Sequence, residues 1–467
     1  MNATFQDLIF DPQLIRRFDV NGPRYTSYPT ADRFVEAFDA NAYRAWLQKR
    51  QLTSKGALSL YVHVPFCASP CFYCGCSKII TRDHGRATVY AGHLEAEAAL
   101  QAPLFDRRRV VEQLHLGGGT PTYLSVAEIG ALLGKLGRHF TLAHGDEREF
   151  SIEIDPRTLA PADMAGLAAL GFNRASLGVQ DFDPDVQRAV NRVQSRESTV
   201  ALMEAARAAG FRSISVDLIY GLPSQTAGTF ARTLDAVVEA APDRLAVYSY
   251  AHLPQLFKPQ RRIDASLLPS GAEKLSLLQL TIERLVAAGY VYIGMDHFAR
   301  PGDELARALR EGSLHRNFQG YSTRAECTLI GLGMTSIGSV GDCYAQNAKT
   351  LPAYYAALAA GRLPVVRGLV LTDEDRLRRE VIQSIMCQSR LDYAAVEARH
   401  GIAFESHFAA AIAALGPLAA DGLLRFGPRG FELTPVGRLL TRNIAMCFDA
   451  YLPAHTRDGT KHFSRAV

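Results

Sequence analysis

Between about Leu58 and Phe298 the chain repeats one pattern, a short apolar run followed by an amphipathic helical stretch. Such a series implies β-α units on a parallel sheet. The predicted strands are Leu58 to Pro65, Gln113 to Leu116, Glu149 to Asp155, Arg174 to Gln180, Ser213 to Tyr220, Arg244 to Ala251 and Val291 to His297. Helices are expected between them, over Ser125 to Phe140, Glu197 to Ala209, Thr226 to Ala241 and Ser270 to Ala288. Gly210 and Gly289 stand where glycine ends a helix. Nearly every strand ends in distinctive groups: cysteines, Gly117 to Gly119, Glu153, Gln180, Asp217 and Tyr250-Ala251-His252. Barrels carry their chemistry at those ends, so the pattern favours a barrel or partial barrel over a doubly wound sheet.

The first strand runs into His63-Val-Pro-Phe-Cys-Ala-Ser-Pro-Cys-Phe-Tyr-Cys-Gly-Cys76, which sets Cys67, Cys71 and Cys74 at C-x3-C-x2-C spacing. Three thiolates this close can hold three irons of a cubane cluster and leave the fourth open to a substrate. A structural zinc site would want a second cysteine pair, which the sequence lacks, and ferredoxin spacings differ and use a fourth thiolate. Cys327, Cys343, Cys387 and Cys447 are scattered, which argues against a disulfide framework. Cys76 is read as a neighbour of the cluster. Gly117-Gly-Gly-Thr-Pro121 follows the next strand, and its glycines let a backbone approach a ligand. Glu153, Gln180 and Asp217 would converge on the same mouth, with Arg192 just beyond in a helical stretch, and Tyr61 and His63 alternating on the cysteine strand.

At 467 residues the chain is too long for one small core. Four segments are expected: 1–51, an N-terminal arm; 52–300, the barrel; 301–365, loops covering the site; and 366–467, a helical domain with a small two-stranded wing. A net charge of +4 without charge blocks argues against nucleic-acid or membrane binding. No apolar window is long enough to span a bilayer, and Met1 to Leu14 does not read as a signal peptide. With reduced thiols, this predicts a cytoplasmic protein. No coiled coil or obligate interface is read, so a monomer is expected.

The cysteine loop resembles the signature of the radical S-adenosylmethionine (SAM) enzymes. More narrowly, from Gly22 onward the chain is similar to the family of oxygen-independent coproporphyrinogen III oxidases (dehydrogenases). The shared text includes Gly22-Pro-Arg-Tyr-Thr-Ser-Tyr-Pro-Thr, Cys74-Gly-Cys76, Leu116-Gly-Gly-Gly-Thr-Pro, Gly178-Val-Gln-Asp-Phe, Val216-Asp-Leu-Ile-Tyr-Gly-Leu-Pro and Gly294-Met-Asp-His-Phe-Ala-Arg-Pro. This resemblance implies a three-quarter (β/α)6 barrel with an N-terminal arm and a C-terminal helical domain. It also implies a 4Fe-4S cluster on Cys67, Cys71 and Cys74, and two SAM molecules. Tyr61, Gly118, Glu153 and Ile337 match positions around the first SAM. Tyr73, Gly119, Thr120, Gln180, Arg192, Asp217 and Ala251 match positions around the second. The implied reaction is radical decarboxylation of the ring A and ring B propionates of coproporphyrinogen III to vinyl groups, giving protoporphyrinogen IX in haem biosynthesis. It needs a low-potential electron donor and an electron acceptor. Since the substrate carries four carboxylates, Arg24, Lys258, Arg300 and Arg316 are candidate partners bordering the mouth. The competing reading is a related haem chaperone, but its His-Asn-x-x-Tyr-Trp motif is missing: the only tryptophan is Trp46, and His315-Arg-Asn-Phe-Gln-Gly-Tyr321 does not match.

Overall fold

In a computed structural model the structure describes residues 8–50 and 56–452, so the reading of Met1 to Leu14 falls partly outside them. The chain divides into two units, one of residues 34–281 and 326–370, the other of residues 1–33, 282–325 and 371–467.

The first unit is built on β1 (Leu58–Val64), β2 (Val110–Gly118), β3 (Glu149–Ile154), β4 (Arg174–Gln180), β5 (Ser213–Tyr220) and β6 (Arg244–Ser249). Each pairs in parallel with the next, in the order β6-β5-β4-β3-β2-β1. This is the expected partial (β/α)6 barrel. On its far side β1 pairs in parallel with β7 (Thr328–Leu332), which is followed antiparallel by β8 (Ile337–Val340), β9 (Cys343–Asn347) and β10 (Val365–Val370). The strands alternate: Leu60, Val62, Leu114, Leu116, Ile152, Ile214 and Leu218 form one fully buried apolar face, while the other carries Ser59, His63, Gln113, His115, Ser151, Glu153 and Asp217. The crossover helices start where the sequence predicts. Ser125 and Glu128 form a reciprocal capping box at the head of Val126–Gly137, and Thr226 and Thr229 do so for Ala227–Ala240. Gly210 and Gly289 have φ of 88° and 84°, a left-handed conformation that suits glycine after a helix.

Two expectations need correction. Val291 to His297 is not one strand: Val291–Gly294 and His297–Ala299 form an antiparallel hairpin, turned at Gly294 and Met295, which both have positive φ. The segment 301–365, expected as covering loops, is not loop-dominated either. It contains the helix Glu304–Glu311, the hairpin His315–Asn317/Gly320–Ser322 and the buried strands β7, β8 and β9.

The second unit gathers its core around Phe404, Phe408, Phe431, Phe448 and Tyr393, with the helix Asp373–Gln388 packed through Val381, Ile382 and Ile385. Its wing has three strands, Arg390–Asp392 joining the predicted hairpin Leu424–Gly427/Gly430–Leu433. The Gly22-Pro-Arg-Tyr segment is fastened here: the Arg442 guanidinium donates to the Gly22 and Pro23 carbonyls, and the Tyr25 hydroxyl to Asp449.

A polar knot lies in the first unit. Glu97, 0% exposed, accepts from the Tyr354 hydroxyl (2.6 Å), the Gly333 amide (2.7 Å) and the Asn347 side chain (2.7 Å). Burial pushes its carboxyl up to about 7, against the pull of these donors. Because the folded value lies above the unfolded one, the protonated acid is the form folding favours. That contribution is complete below about pH 4.5 and is lost as pH rises through about 7. Unfolding free energy should therefore fall by up to ~3 kcal/mol across that window. In denaturant titrations at pH 5, 6, 7 and 8, Glu97→Gln should flatten this slope; an unchanged slope would assign it to other groups.

Candidate functional site

Strand register assembles the site. His63 and Val64 of β1 face Gly117 and Gly118 of β2, Glu153 of β3 faces Ser176 of β4, and Gly178 faces Asp217 of β5. The C-terminal ends of five adjacent strands thus bring the cysteine loop, the glycines and two carboxylates to one rim. Gly118 has a φ of 123°, and a Cβ there would lie 2.8 Å from the His63 ring. Gly119 donates its N–H to Val64 O at 2.8 Å. A Cβ on Gly119 would sit 2.5 Å from Pro65 O. The glycines are therefore what allow β2 to touch the root of the cysteine loop.

One cavity is lined by all three cysteines of the trio together with Tyr73, Gly118, Gly119, Thr120, Glu153, Gln180, Arg192 and Asp217. Each thiol has its own donor. Thr120 Oγ1 donates to Cys67 Sγ (3.3 Å), Arg192 Nη1 and Arg157 Nη2 approach Cys71 Sγ (3.4 and 3.5 Å), and the Cys76 N–H approaches Cys74 Sγ (3.4 Å). Hydrogen bonds to the charged form favour it. Burial raises the Cys67 thiol to about 11, opposed by Thr120. Cys74 is lowered, chiefly by the hydrogen bond from the Cys76 side chain and then by Lys78, whose Nζ also donates to Cys74 O at 2.9 Å. Cys76 is raised as the donor of that pair.

The carboxylates differ from one another. Burial would raise Glu153, but the hydrogen bond and charge of His115 (3.1 Å) and the Gly118 N–H (3.1 Å) hold it below its ordinary value, so it is an anion. Burial, then the charge of Glu153, lifts Asp217 to about 7, against the Ser176 hydroxyl (3.3 Å). Two acids in one cavity are thereby driven apart in pKa, as expected where each has a separate task.

Sequence reasoning missed Asp155 and Arg157, although Asp155-Pro-Arg157 directly follows β3. Arg157 pairs with Asp155 through Nε (2.9 Å) and Nη2 (2.6 Å), and Arg192 Nη1 reaches the same carboxylate at 3.1 Å. Burial would raise Asp155, but the two arginines keep it low. This triad sets two cations behind Cys71. Ser69, Lys78 and Ser176 also line the cavity.

Tyr61, Ala251 and Ile337 do not line it. Tyr61 stacks on His115 (centroids 5.7 Å, 16°), and its hydroxyl lies 3.1 Å from His63 Nδ1. His63 Nε2 lies 3.0 Å from Ser77 O, so Nε2 carries the proton and Nδ1 accepts from Tyr61. That chain braces the loop beyond Cys76. Ala251 follows β6, its carbonyl held by Gln260, which also bonds Tyr73 O (3.2 and 2.9 Å). Ile337 opens β8. Exposed Lys258 begins the turn Lys258–Arg262, while Arg24, Arg300 and Arg316 belong to the second unit.

The donor set fits an iron-sulfur cluster. The three cysteines line one cavity and supply soft thiolate ligands of the kind iron-sulfur clusters take. No helix of the described residues is long and apolar enough to cross a membrane.

Residues 61–237 match the Radical SAM superfamily and residues 371–440 the HemN C-terminal domain. A Pseudomonas aeruginosa protein named oxygen-independent coproporphyrinogen III oxidase is 50% identical over 98% of this chain and 99% of its own length. The Synechocystis protein of that name is 44% identical over all of both chains. The solved coproporphyrinogen III oxidase (HemN) of Escherichia coli, described as a radical SAM enzyme, superposes with a TM-score of 0.90 at 48% identity, over 95% of this chain and 100% of that one.

Proposed function

The chain belongs to the family of oxygen-independent coproporphyrinogen III oxidases, and from that membership we propose that its cavity carries out the family's reaction, with Cys67, Cys71 and Cys74 as the cluster ligands. The reaction is the oxidative decarboxylation of the ring A and ring B propionates of coproporphyrinogen III to vinyl groups, giving protoporphyrinogen IX. When bound, the 4Fe-4S cluster and SAM supply the 5'-deoxyadenosyl radical that takes hydrogen from the propionate β-carbon, a step no side chain can perform.

The protein's part is to hold and shield. Thr120 donates a hydrogen bond to Cys67, while Arg157 and Arg192 beside Cys71 and Lys78 beside Cys74 offset the charge of their thiolates. Glu153, kept ionised by His115, is the acceptor for the SAM ammonium, with Gly118 beside it. Tyr61 and Ile337 support that end from outside the cavity wall. A second SAM is assigned to Tyr73, Gly119, Thr120, Gln180, Arg192 and Asp217, with Ala251 next to them; Asp217 and Gln180 offer acceptors for its hydroxyl and amino groups. The protein works as a cytoplasmic monomer, reduced by a low-potential donor and relieved of the second electron by an acceptor.

The observation that carries this reading is three cysteine thiols and an ionised Glu153 in one cavity at the ends of parallel strands. Anaerobic reconstituted protein given dithionite, SAM and coproporphyrinogen III should form the divinyl product. Stable haem binding without product would favour a chaperone instead. Deoxyadenosine formed without porphyrin product would move the substrate elsewhere.

A further inference from the structure

Behind Cys71 two cations share a single anion. Asp155 accepts from Arg157 through Nε (2.9 Å) and Nη2 (2.6 Å) and from Arg192 through Nη1 (3.1 Å). Two guanidiniums and one carboxylate leave one positive charge over. Both guanidiniums also reach Cys71 Sγ, Arg192 at 3.4 Å and Arg157 at 3.5 Å. Their other acceptors are neutral carbonyls, Gly178 O for Arg192 and Asn191 O for Arg157. The Tyr73 hydroxyl beside Cys71 is kept protonated, chiefly by burial. Burial would pull Arg157 down, but the hydrogen bonds and charge of Asp155 raise it, so it stays a cation.

The three sulfurs are not treated alike. Cys67 faces the neutral Thr120 hydroxyl, Cys74 Sγ a backbone amide, and the Lys78 ammonium is bonded to the Cys74 carbonyl. Among the described residues Cys71 is the member of the trio with guanidiniums at its sulfur. The Arg192 and Asp155 side chains are 7% and 9% exposed and form a closed pair, whereas Arg157 is 23% exposed at its edge. Arg157 therefore carries the charge that nothing beside it cancels. Reduction adds one negative charge to a cluster and leaves its surroundings as they are. A fixed cation next to a ligand sulfur, in a cavity that excludes much of the water, favours the reduced form over the oxidised one.

We propose that Arg157 is a positioning residue that acts through Cys71 Sγ to raise the reduction potential of the cluster, easing its one-electron reduction by the low-potential donor. This rests on Cys71 being a cluster ligand, as proposed above.

The test uses full-length protein reconstituted anaerobically and titrated with dithionite and mediator dyes, the reduced cluster being counted by electron paramagnetic resonance. Arg157→Gln removes the charge and keeps a donor. It should leave about tenfold less reduced cluster at a fixed poise, a midpoint lower by about 59 mV for one electron. Arg157→Lys keeps the charge as an ammonium and should recover at least about half of that shift. Asp155→Asn removes the opposing anion and should move the midpoint upward. A triad that served only to hold the loop would not give the two substitutions opposite signs. Iron content should match wild type in all three variants, and Arg108→Gln, whose side chain is 90% exposed, should leave the midpoint unmoved. Deoxyadenosine formation by Arg157→Gln should fall under a weak reductant and recover under a stronger one. An unmoved midpoint in Arg157→Gln, or a lowered one in Asp155→Asn, overturns the proposal. Should Arg157→Gln take up no iron, Asp155→Asn decides by the direction of its shift. Wild type that binds no cluster sinks the functional reading, whereas wild type and Arg157→Gln that both bind it at one midpoint sink only this inference.

Discussion

Cys71→Ser should give a folded protein with no bound iron-sulfur cluster and turnover reduced by at least about a thousandfold, because nothing else in the chain can substitute for a cofactor that does the hard chemistry. Cys71 is the informative member of the trio. It is buried, and its sulfur is the one approached by two cations, Arg192 and Arg157, both anchored on Asp155. Those cations stabilise a thiolate. A serine hydroxyl stays protonated at neutral pH and gives iron a poor ligand, and the arginines then face no anion except Asp155. Iron and sulfide analysis after anaerobic reconstitution reads the cluster directly, circular dichroism reads the fold, and Cys327→Ser, outside the cavity, is the control that should keep both iron and turnover. Full iron and turnover in Cys71→Ser would mean that the cluster is held elsewhere.

The same triad shows where sequence reading stops. Cys67, Cys71 and Cys74 announce themselves because chemistry fixes their spacing within one loop. Gly117 to Gly119 are legible only through their place one β-α unit after the cysteine loop, since three glycines alone read equally well as a tight turn. Glu153 and Asp217 were reachable from strand ends alone, because in a parallel sheet each strand's end is also a place on the common rim. Asp155 and Arg157 gave only the local signal Asp-Pro-Arg, and their role depends on Arg192 arriving from another segment. Likewise β7 is a fully buried strand of Thr-Leu-Ile-Gly-Leu set in polar, glycine-rich text, and its place beside β1 is a tertiary fact with no local periodicity. The hairpin at Gly294-Met295-Asp296 was hidden for the opposite reason. Its apolar residues continue a strand pattern, and only the backbone turn at two positive-φ residues breaks it. Tyr61 stands apart again, since alternation on β1 placed it correctly on the strand while its ring went to His115 instead of the cavity wall.

Gly119→Ala should cost about a hundredfold in kcat/KM for one added methyl group, because the methyl has nowhere to go except into the support of a cluster ligand. Its Cβ would lie 2.5 Å from Pro65 O, 2.6 Å from Pro65 C and 3.0 Å from Phe66 O, all backbone atoms. That backbone cannot yield cheaply. Pro65 O accepts from the Ile79 N–H at 2.7 Å, Cys67 O accepts from Thr81 at 3.0 Å, and Gly119 itself is tied to Val64 O. Relief must come by moving Pro65 and Phe66, and Cys67 moves with them, while overpacking takes about 1–3 kcal/mol from stability. Gly134→Ala is the matched comparison. It lies inside the helix Val126–Gly137 with nothing within 4 Å of the new methyl, so the same chemical change should leave turnover intact and add up to ~1 kcal/mol through helix propensity. Thermal melts and steady-state kinetics of the two variants, with iron content measured alongside, separate a local clash from a general intolerance of alanine. If Gly119→Ala kept wild-type kinetics and melting temperature, the close packing of β2 on the cysteine loop would be incidental to holding Cys67 in place.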